Sequence, residues 1–157
     1  MTDSLLAYIA GFLDGDGCIM AQIVKRDGYV YGFQIRLSII FYQKSCKKDH
    51  LIWLKDQLKF GYIRDRNDGM SEYTIVGIEQ VKNVLQQLFD FLRLKKKQAE
   101  LVLKISAIPK KPSLETFLSY CQMVDNGAKL NFSKKRTRNT QSVMRYLREH
   151  KLYPRND

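Results

Sequence analysis

Cysteine and histidine are scarce in this 157-residue chain, and their scarcity removes several chemistries at once. Cys18, Cys46 and Cys121 are odd in number and form no Cys-x-x-Cys pair. A disulfide framework and a cysteine zinc site are therefore not expected, and a reducing compartment suits the chain. With only His50 and His150, a histidine metal cluster or a Ser-His triad is nearly excluded. Long apolar runs are missing too. The stretch from Leu5 to Leu13 is too short to span a bilayer. Thr2, Asp3 and Ser4 ahead of it give no basic leader, so neither a secretory signal nor a transit peptide is expected. No internal repeat or low-complexity segment interrupts the chain.

Acidic residues are unevenly spread. Residues 1–92 hold 11 basic and 11 acidic side chains, whereas residues 93–157 hold 16 basic and 5 acidic ones, so the whole net charge of +11 sits in the second segment. One-sided basic charge suits a polyanion, nucleic acid or an anionic membrane, although a soluble basic surface has the same composition. The membrane reading is the weaker one. The basic stretches lack the Trp/Phe/Leu-rich opposite face of an interfacial helix, and the single Trp53 lies elsewhere. The length suits one domain. We expect it over 1–157, with a core over about residues 4–108 and a basic helical region over about 109–157.

Hydrophobic periodicity orders the elements. Ser4 caps a first helix that reaches about Asp14, where Asp14-Gly15-Asp16-Gly17 breaks it. Two strand-like runs follow, Ile19 to Arg26 and Tyr29 to Phe41, joined at Asp27-Gly28. In the second, Phe33, Ile35, Leu37, Ile39 and Phe41 alternate with Gln34, Arg36 and Ser38. A helix over about 45–60, a shorter hairpin (62–66 and 72–76) and a helix over 79–92 come next. Helices from about Lys96 to before Pro109, from the cap Ser113 to about Ala128, and over 140–151 complete the chain. The fold class is α+β, in the order αββαββα with further helices at the C-terminal end.

The first helix carries the deciding motif, Ile9-Ala10-Gly11-Phe12-Leu13-Asp14-Gly15-Asp16-Gly17. Gly11 and Gly15 lie four apart, a spacing that lets two helix backbones approach closely. Such a pair would bring two Asp16 carboxylates together, and these repel unless cations lie between them. Alone, the same residues also read as a helix C-cap and turn. An EF-hand reading fails, because the expected oxygen ligands are replaced by Cys18 and Lys25.

The stretch resembles the LAGLIDADG motif of homing endonucleases. The element order, Gly61-Tyr62-Ile63-Arg64-Asp65-Arg66 and Leu92-Arg93-Leu94-Lys95-Lys96-Lys97-Gln98-Ala99 are similar to the single-motif algal members of that family. The resemblance covers about residues 5–150. It implies a saddle-shaped antiparallel sheet and cleavage of double-stranded DNA at a long pseudo-palindromic site. It also implies a divalent cation, Mg²⁺ with Mn²⁺ as an option, held by Asp16 and the carbonyl of Gly15. Gln43 matches the position that organises water. Lys47 and Lys95 match basic positions beside the scissile phosphate. Lys47 stands where the family pattern has Arg, which keeps charge but not the planar fork.

One motif copy implies a homodimer through Ala10, Gly11, Leu13, Asp14 and Gly15, with half-sites ~10 bp apart. The polar strand faces carry Gln22, Arg26, Gln34, Arg36, Ser38, Arg64, Arg66, Glu72 and Thr74, side chains able to read base edges in the major groove. Val24, Tyr29 and Ile40 could meet thymine methyls. The basic loop Ser133-Lys134-Lys135-Arg136-Thr137-Arg138 reads as a phosphate clamp. Family members are commonly encoded inside organellar introns, so a chloroplast or mitochondrial site of synthesis is expected. The competing reading is a nucleic-acid-binding protein that does not cut, such as an intron RNA maturase or a DNA-binding regulator.

Overall fold

The computed structural model describes residues 1–131 and 136–152. Helix α1 runs Asp3–Asp16. Its cap is Thr2, whose hydroxyl accepts from the Leu5 N–H at 3.3 Å, and Ser4 lies inside the first turn instead of capping it. The helix also continues through Asp14 and Gly15, two residues past the expected break. Gly17 then turns the chain into strand β1 (Gly17–Lys25). A Cβ on Gly17 would stand 2.5 Å from Leu13 Cδ1 and 2.8 Å from the Leu13 carbonyl oxygen, so this close return of strand onto helix demands glycine.

Strand β2 (Phe33–Lys44) pairs antiparallel with β1. It starts four residues later than the alternation suggested, because residues 26–32 form a turn-rich loop. Beyond a 3-10 turn at Ser45–Lys47, helix α2 spans Lys48–Leu58. The expected continuous helix is thus split, and Lys59 ends it with φ of 65°. Strands β3 (Tyr62–Asp65) and β4 (Met70–Val76) form the short hairpin. Helix α3 (Ile78–Leu88) is shorter than expected and passes into a 3-10 turn at Phe89–Phe91. Helices α4 (Lys96–Ile105), α5 (Leu114–Leu130) and α6 (Thr140–Glu149) follow, α5 capped by Ser113.

The four strands form one sheet in the order β1-β2-β4-β3, every neighbouring pair antiparallel. Alternation gives it two faces. Ile19, Ile23, Phe33, Ile35, Leu37, Ile39, Phe41, Tyr73 and Ile75 point into the core. They meet Ile9 and Leu13 of α1, Leu51 and Leu54 of α2 and Val81, Val84, Leu85 and Leu88 of α3 in one buried cluster, which Val102, Phe117, Val124 and Leu147 of the later helices join. Among the described residues no helix is long and apolar enough to cross a membrane.

Candidate nucleic-acid interface and metal site

The register brings the non-core side chains into cross-strand rows. Gln22 stands opposite Arg36, Val24 opposite Gln34, and Ile40 opposite Thr74, which in turn faces Tyr62; Arg64 stands opposite Glu72. Nearly all the strand residues expected to read DNA thus share one face. Gln22, Arg26, Arg64 and Arg66 are exposed, and Val24, Gln34, Arg36 and Ile40 are half-buried. Tyr29 is exposed in the loop beyond the strands, not within β2.

Three members of this face are sunk beneath their neighbours. Ser38, Thr74 and Glu72 keep only 1%, 2% and 8% of their surface. Among the described residues no partner satisfies the Ser38 and Thr74 hydroxyls or the Nε of Arg36. An unsatisfied buried polar atom costs free energy, so these atoms favour a face that gains water or a polar ligand. Glu72 is a support for arginines. Its carboxylate lies 2.7 Å from Arg64 and 4.0 Å from Arg66, and Asp68 holds the other side of Arg66 at 2.7 Å. Free carboxylate acceptance from cytosine is therefore not available to Glu72 as it stands.

Helix α1 delivers its C-terminus to one end of this face. Among the described residues nothing bonds the Asp16 carboxylate. The last carbonyls of a helix lack intrahelical partners and carry partial negative charge, and no basic residue occupies the last turn of α1. A carboxylate beside orphan carbonyls is a hard-oxygen donor set of the kind Mg²⁺ or Ca²⁺ accepts. Asp16 and the Gly15 carbonyl therefore fit a divalent cation. Within one chain the set stops there, since no group of three or more His, Cys, Asp or Glu converges among the described residues.

Asp14 faces the other way. It is 8% exposed, and its carboxylate accepts the backbone N–H groups of Arg93, Leu94 and Lys95 at 2.7, 3.2 and 2.9 Å. The Lys95 ammonium in turn donates to the Asp14 carbonyl. This crossed pair holds the start of α4 to the end of α1. It also separates Lys95 from the other cations of its run, because Arg93, Lys96 and Lys97 are exposed and Lys96 lies over the Phe89 ring at 4.9 Å. Cys18 and Tyr42, which sequence reasoning passed over, also border this end. Burial pushes both the thiol and the phenol up; Lys95 opposes the shift at Cys18, and Cys18 and Glu72 add to it at Tyr42.

Gln43 and Lys47 reach the same end less directly. Strand β2 outruns β1 beyond the Gly17–Phe41 pair, so Gln43 lies where β2 pairs only with β4, opposite Ser71. Its pleat, however, turns it to the face away from Arg36 and Ser38, and its amide oxygen accepts from the Lys44 N–H at 2.9 Å. Lys47 is exposed on the 3-10 turn. Its neighbour Lys48, which sequence reasoning missed, bonds Asp65 at 2.7 Å. Asp65 also accepts from Ser71, and these two hydrogen bonds, Lys48 first, hold its carboxyl below the usual range.

The expected helix contact needs correction. Ala10 and Leu13 are fully buried in the chain's own core, and Asp14 is tied to α4. None of the three can form the outer surface of α1. That surface is a stripe of Ser4, Ala7, Gly11 and Gly15, all exposed. A Cβ at Gly11 or Gly15 would meet nothing within 4 Å. Ala7 was legible from the same four-residue spacing but was not picked out.

The basic loop is also partly reassigned. Arg136 bonds Asp125 of α5 at 2.8 Å and is only 22% exposed at its side chain, so it is an internal tie rather than a free clamp. Thr137 and Arg138 are exposed beside the outer edge of β1. Ser133, Lys134 and Lys135 lie outside the described residues.

Residues 9–109 match the family model described as LAGLIDADG endonuclease. The DNA endonuclease I-CreI of Chlamydomonas reinhardtii is 42% identical over 144 residues, covering 90% of this chain and 88% of that protein. The DNA endonuclease I-CvuI of Chlorella vulgaris is 36% identical over 144 residues, covering 91% and 89%. A crystal structure of I-CvuI with its DNA target in 2 mM Ca superposes with a TM-score of 0.89 at 35% identity, covering 93% of this chain and 94% of that one. A second I-CvuI complex, in 2 mM Mg with the DNA not cleaved, gives 0.88. The archaeal homing endonuclease I-Vdi141I, bound to DNA, shares the fold with a TM-score of 0.83 at 18% identity.

Proposed function

Because the chain belongs to the LAGLIDADG endonuclease family, we propose that it is one subunit of a site-specific homing endonuclease. Two copies make a double-strand break in a long pseudo-palindromic DNA. The observation that carries the reading is the pairing of two features on one end of the sheet. An Asp16 carboxylate with no bond among the described residues ends a helix whose outer stripe is serine, alanine and glycine, and the sheet face leading away from it bears arginine and glutamine.

The small-residue stripe supports a two-fold helix pair. A mate would bring a second Asp16 to the first, supplying the donors one chain lacks. Asp16 and the Gly15 carbonyl hold the cation, with Mg²⁺ favoured by the all-oxygen set and Mn²⁺ able to replace it. When bound, the cation lowers the pKa of its water and offsets charge on the phosphate. The chain's own residues orient the rest. Lys95, fixed by the Asp14 carbonyl, brings a positive charge to the phosphate at this end. Lys47, exposed on the 3-10 turn, adds a second one. Gln43 can exchange its bond to the Lys44 N–H for a water. Arg36, Arg64 and Arg66 read base edges, Glu72 keeping the last two extended. Arg138 and Thr137 meet the backbone phosphates. An organellar site of synthesis rests on the family resemblance, and the DNA flanking the reading frame tests it.

The test is cleavage selection. Purified full-length protein with Mg²⁺ is offered a randomised duplex library and intron-insertion-site DNA. The reading expects breaks at one pseudo-palindromic sequence, abolished by a chelator. Absence of any cleaved species with either Mg²⁺ or Mn²⁺, from protein that still selects a DNA sequence, would move the chain to the non-cleaving alternative.

A further inference from the structure

The β1–β2 loop, residues 26–32, is where the two longest strands turn, and its tip is unusually apolar for an exposed loop. Tyr29 and Val30 are 51% and 79% exposed. Its internal bonds are few: Arg26 N–H to the Gly32 carbonyl at 2.9 Å, Gly32 N–H to the Tyr29 carbonyl at 2.9 Å, and Tyr29 N–H to the Arg26 carbonyl at 3.3 Å. What holds it from outside comes from α5, the segment leading into it, and α6. The Tyr31 hydroxyl donates to the Pro112 carbonyl at 3.0 Å, and the Tyr31 ring stacks on Phe117 of α5 with centroids 5.2 Å apart. Gly32, at φ +70°, sits against the Tyr146 ring of α6; a Cβ there would come within 2.7 Å of it. Tyr146 also packs edge-on against Phe33 at 5.1 Å and carries the Lys25 ammonium 5.2 Å above its ring. One aromatic of α6 thus touches both roots of the loop.

The place of the loop gives this clamp a consequence. Strand β1 leads from Gly17, next to Asp16, to Lys25 at the loop. Eight steps at roughly 3.3 Å each put the loop about 26 Å from the metal end of the face. At roughly 3.4 Å per base pair, that is about eight base pairs out along a duplex. The loop therefore meets the outer part of a half-site, while the strand centres meet the inner part. Asp125 of α5 strengthens the frame from behind, accepting from Thr140 N–H at the start of α6 at 2.9 Å and from Arg136 at 2.8 Å.

We infer that Tyr146 and Tyr31 are positioning residues for base recognition: by clamping residues 26–32, the C-terminal helices set which outer base pairs Arg26 and Tyr29 read, without touching DNA themselves. This rests on the DNA-reading face proposed above. It adds a division of labour, in which the later helices tune the outer half-site and leave the inner half-site and the cutting chemistry alone.

The experiment compares full-length wild type, Tyr146→Ala, Tyr146→Phe and Tyr31→Phe in two readouts. Hydrogen exchange on the free proteins follows the amides of residues 26–32. Binding selection from a randomised duplex library gives base preference at each position. Wild type should show a preference of roughly fivefold to a hundredfold at outer positions that are read directly. Tyr146→Ala should exchange the loop amides at least tenfold faster and reduce outer preference to about twofold or less, with inner preference kept. Tyr146→Phe keeps the ring and should behave as wild type, and Tyr31→Phe, losing one hydrogen bond, should speed loop exchange alone or with a partial loss of outer preference. Unchanged loop exchange in both Tyr146→Ala and Tyr31→Phe, or outer preference retained in Tyr146→Ala, would overturn the inference. So would an equal loss of inner and outer preference. A wild type that selects no sequence at all would instead refute the DNA-reading face, and the exchange result would still decide the clamp.

Discussion

Replacing Gly11 and Gly15 together by alanine should push two stabilities in opposite directions. In the isolated chain both positions are exposed, and an added Cβ meets nothing within 4 Å. Alanine exceeds glycine by roughly 0.8–1.0 kcal/mol in a helix interior. Gly15 lies one residue from the end of α1, so its share is smaller, and the monomer should gain about 1–1.5 kcal/mol. A close helix pair responds otherwise. Each methyl forced into a packed contact costs about 1–3 kcal/mol, and two-fold symmetry repeats both. Even the low end, about 4 kcal/mol, weakens the dimer roughly a thousandfold. Sedimentation equilibrium measures the association constant. Urea denaturation, run at a protein concentration well below the dissociation constant so that dimerisation does not inflate the result, measures the monomer. A double variant that dimerises within threefold of wild type would refute the reasoning, because no tight pair could hold four extra methyls unchanged. A destabilised monomer would show that this face of α1 packs elsewhere in the chain.

Two further outcomes follow from buried groups. Asp14→Ala strips three backbone N–H groups at the start of α4 of their acceptor; at about 1–3 kcal/mol for an unsatisfied buried donor, partly offset by water, the chain should lose about 2–4 kcal/mol in urea denaturation. A loss below 0.5 kcal/mol would mean that the tie is not formed. Burial, with Asp125 adding to it, pushes the Cys121 thiol from 9.0 up to about 12. A raised acid pKa in the folded state gives stability that is complete below pH 9.0 and fades as pH climbs toward about 12. Wild type should therefore exceed Cys121→Ala at pH 8, and the gap should shrink through pH 10 and 11; a gap constant with pH would contradict the assigned shift.

Periodic features were legible in the sequence, and pairings between distant residues were not. Strict alternation from Phe33 to Phe41 gives the two faces of β2 directly, since a strand repeats every two residues. Tyr29, Val30 and Tyr31 extend that aromatic and β-branched pattern, yet they form a loop, because Tyr31 finds Phe117 and Pro112 far along the chain. In α1 the spacing marked Gly11 and Gly15, but Ala10, Leu13 and Asp14 were carried along as sequence neighbours. At 3.6 residues per turn only Leu13 falls opposite the glycines; Ala10 and Asp14 flank them and are taken up by the core and by the start of α4. Asp14 bonds residues 79 to 81 positions later, and Arg136 bonds Asp125; neither partner could be read from local pattern. By type Ser4 is the stronger cap candidate, and the backbone nevertheless chose Thr2. Lys95 stood among four similar cations until the Asp14 carbonyl singled it out.

The most direct measurement is Asp16→Asn, followed by binding and cleavage on one duplex target in Mg²⁺. The side chain keeps its size and loses the charge that a hard cation requires. Affinity within about fivefold of wild type, together with a cleavage rate lower by about a thousandfold or more, is the predicted result. Cleavage at the wild-type rate would contradict the assignment of the metal to Asp16.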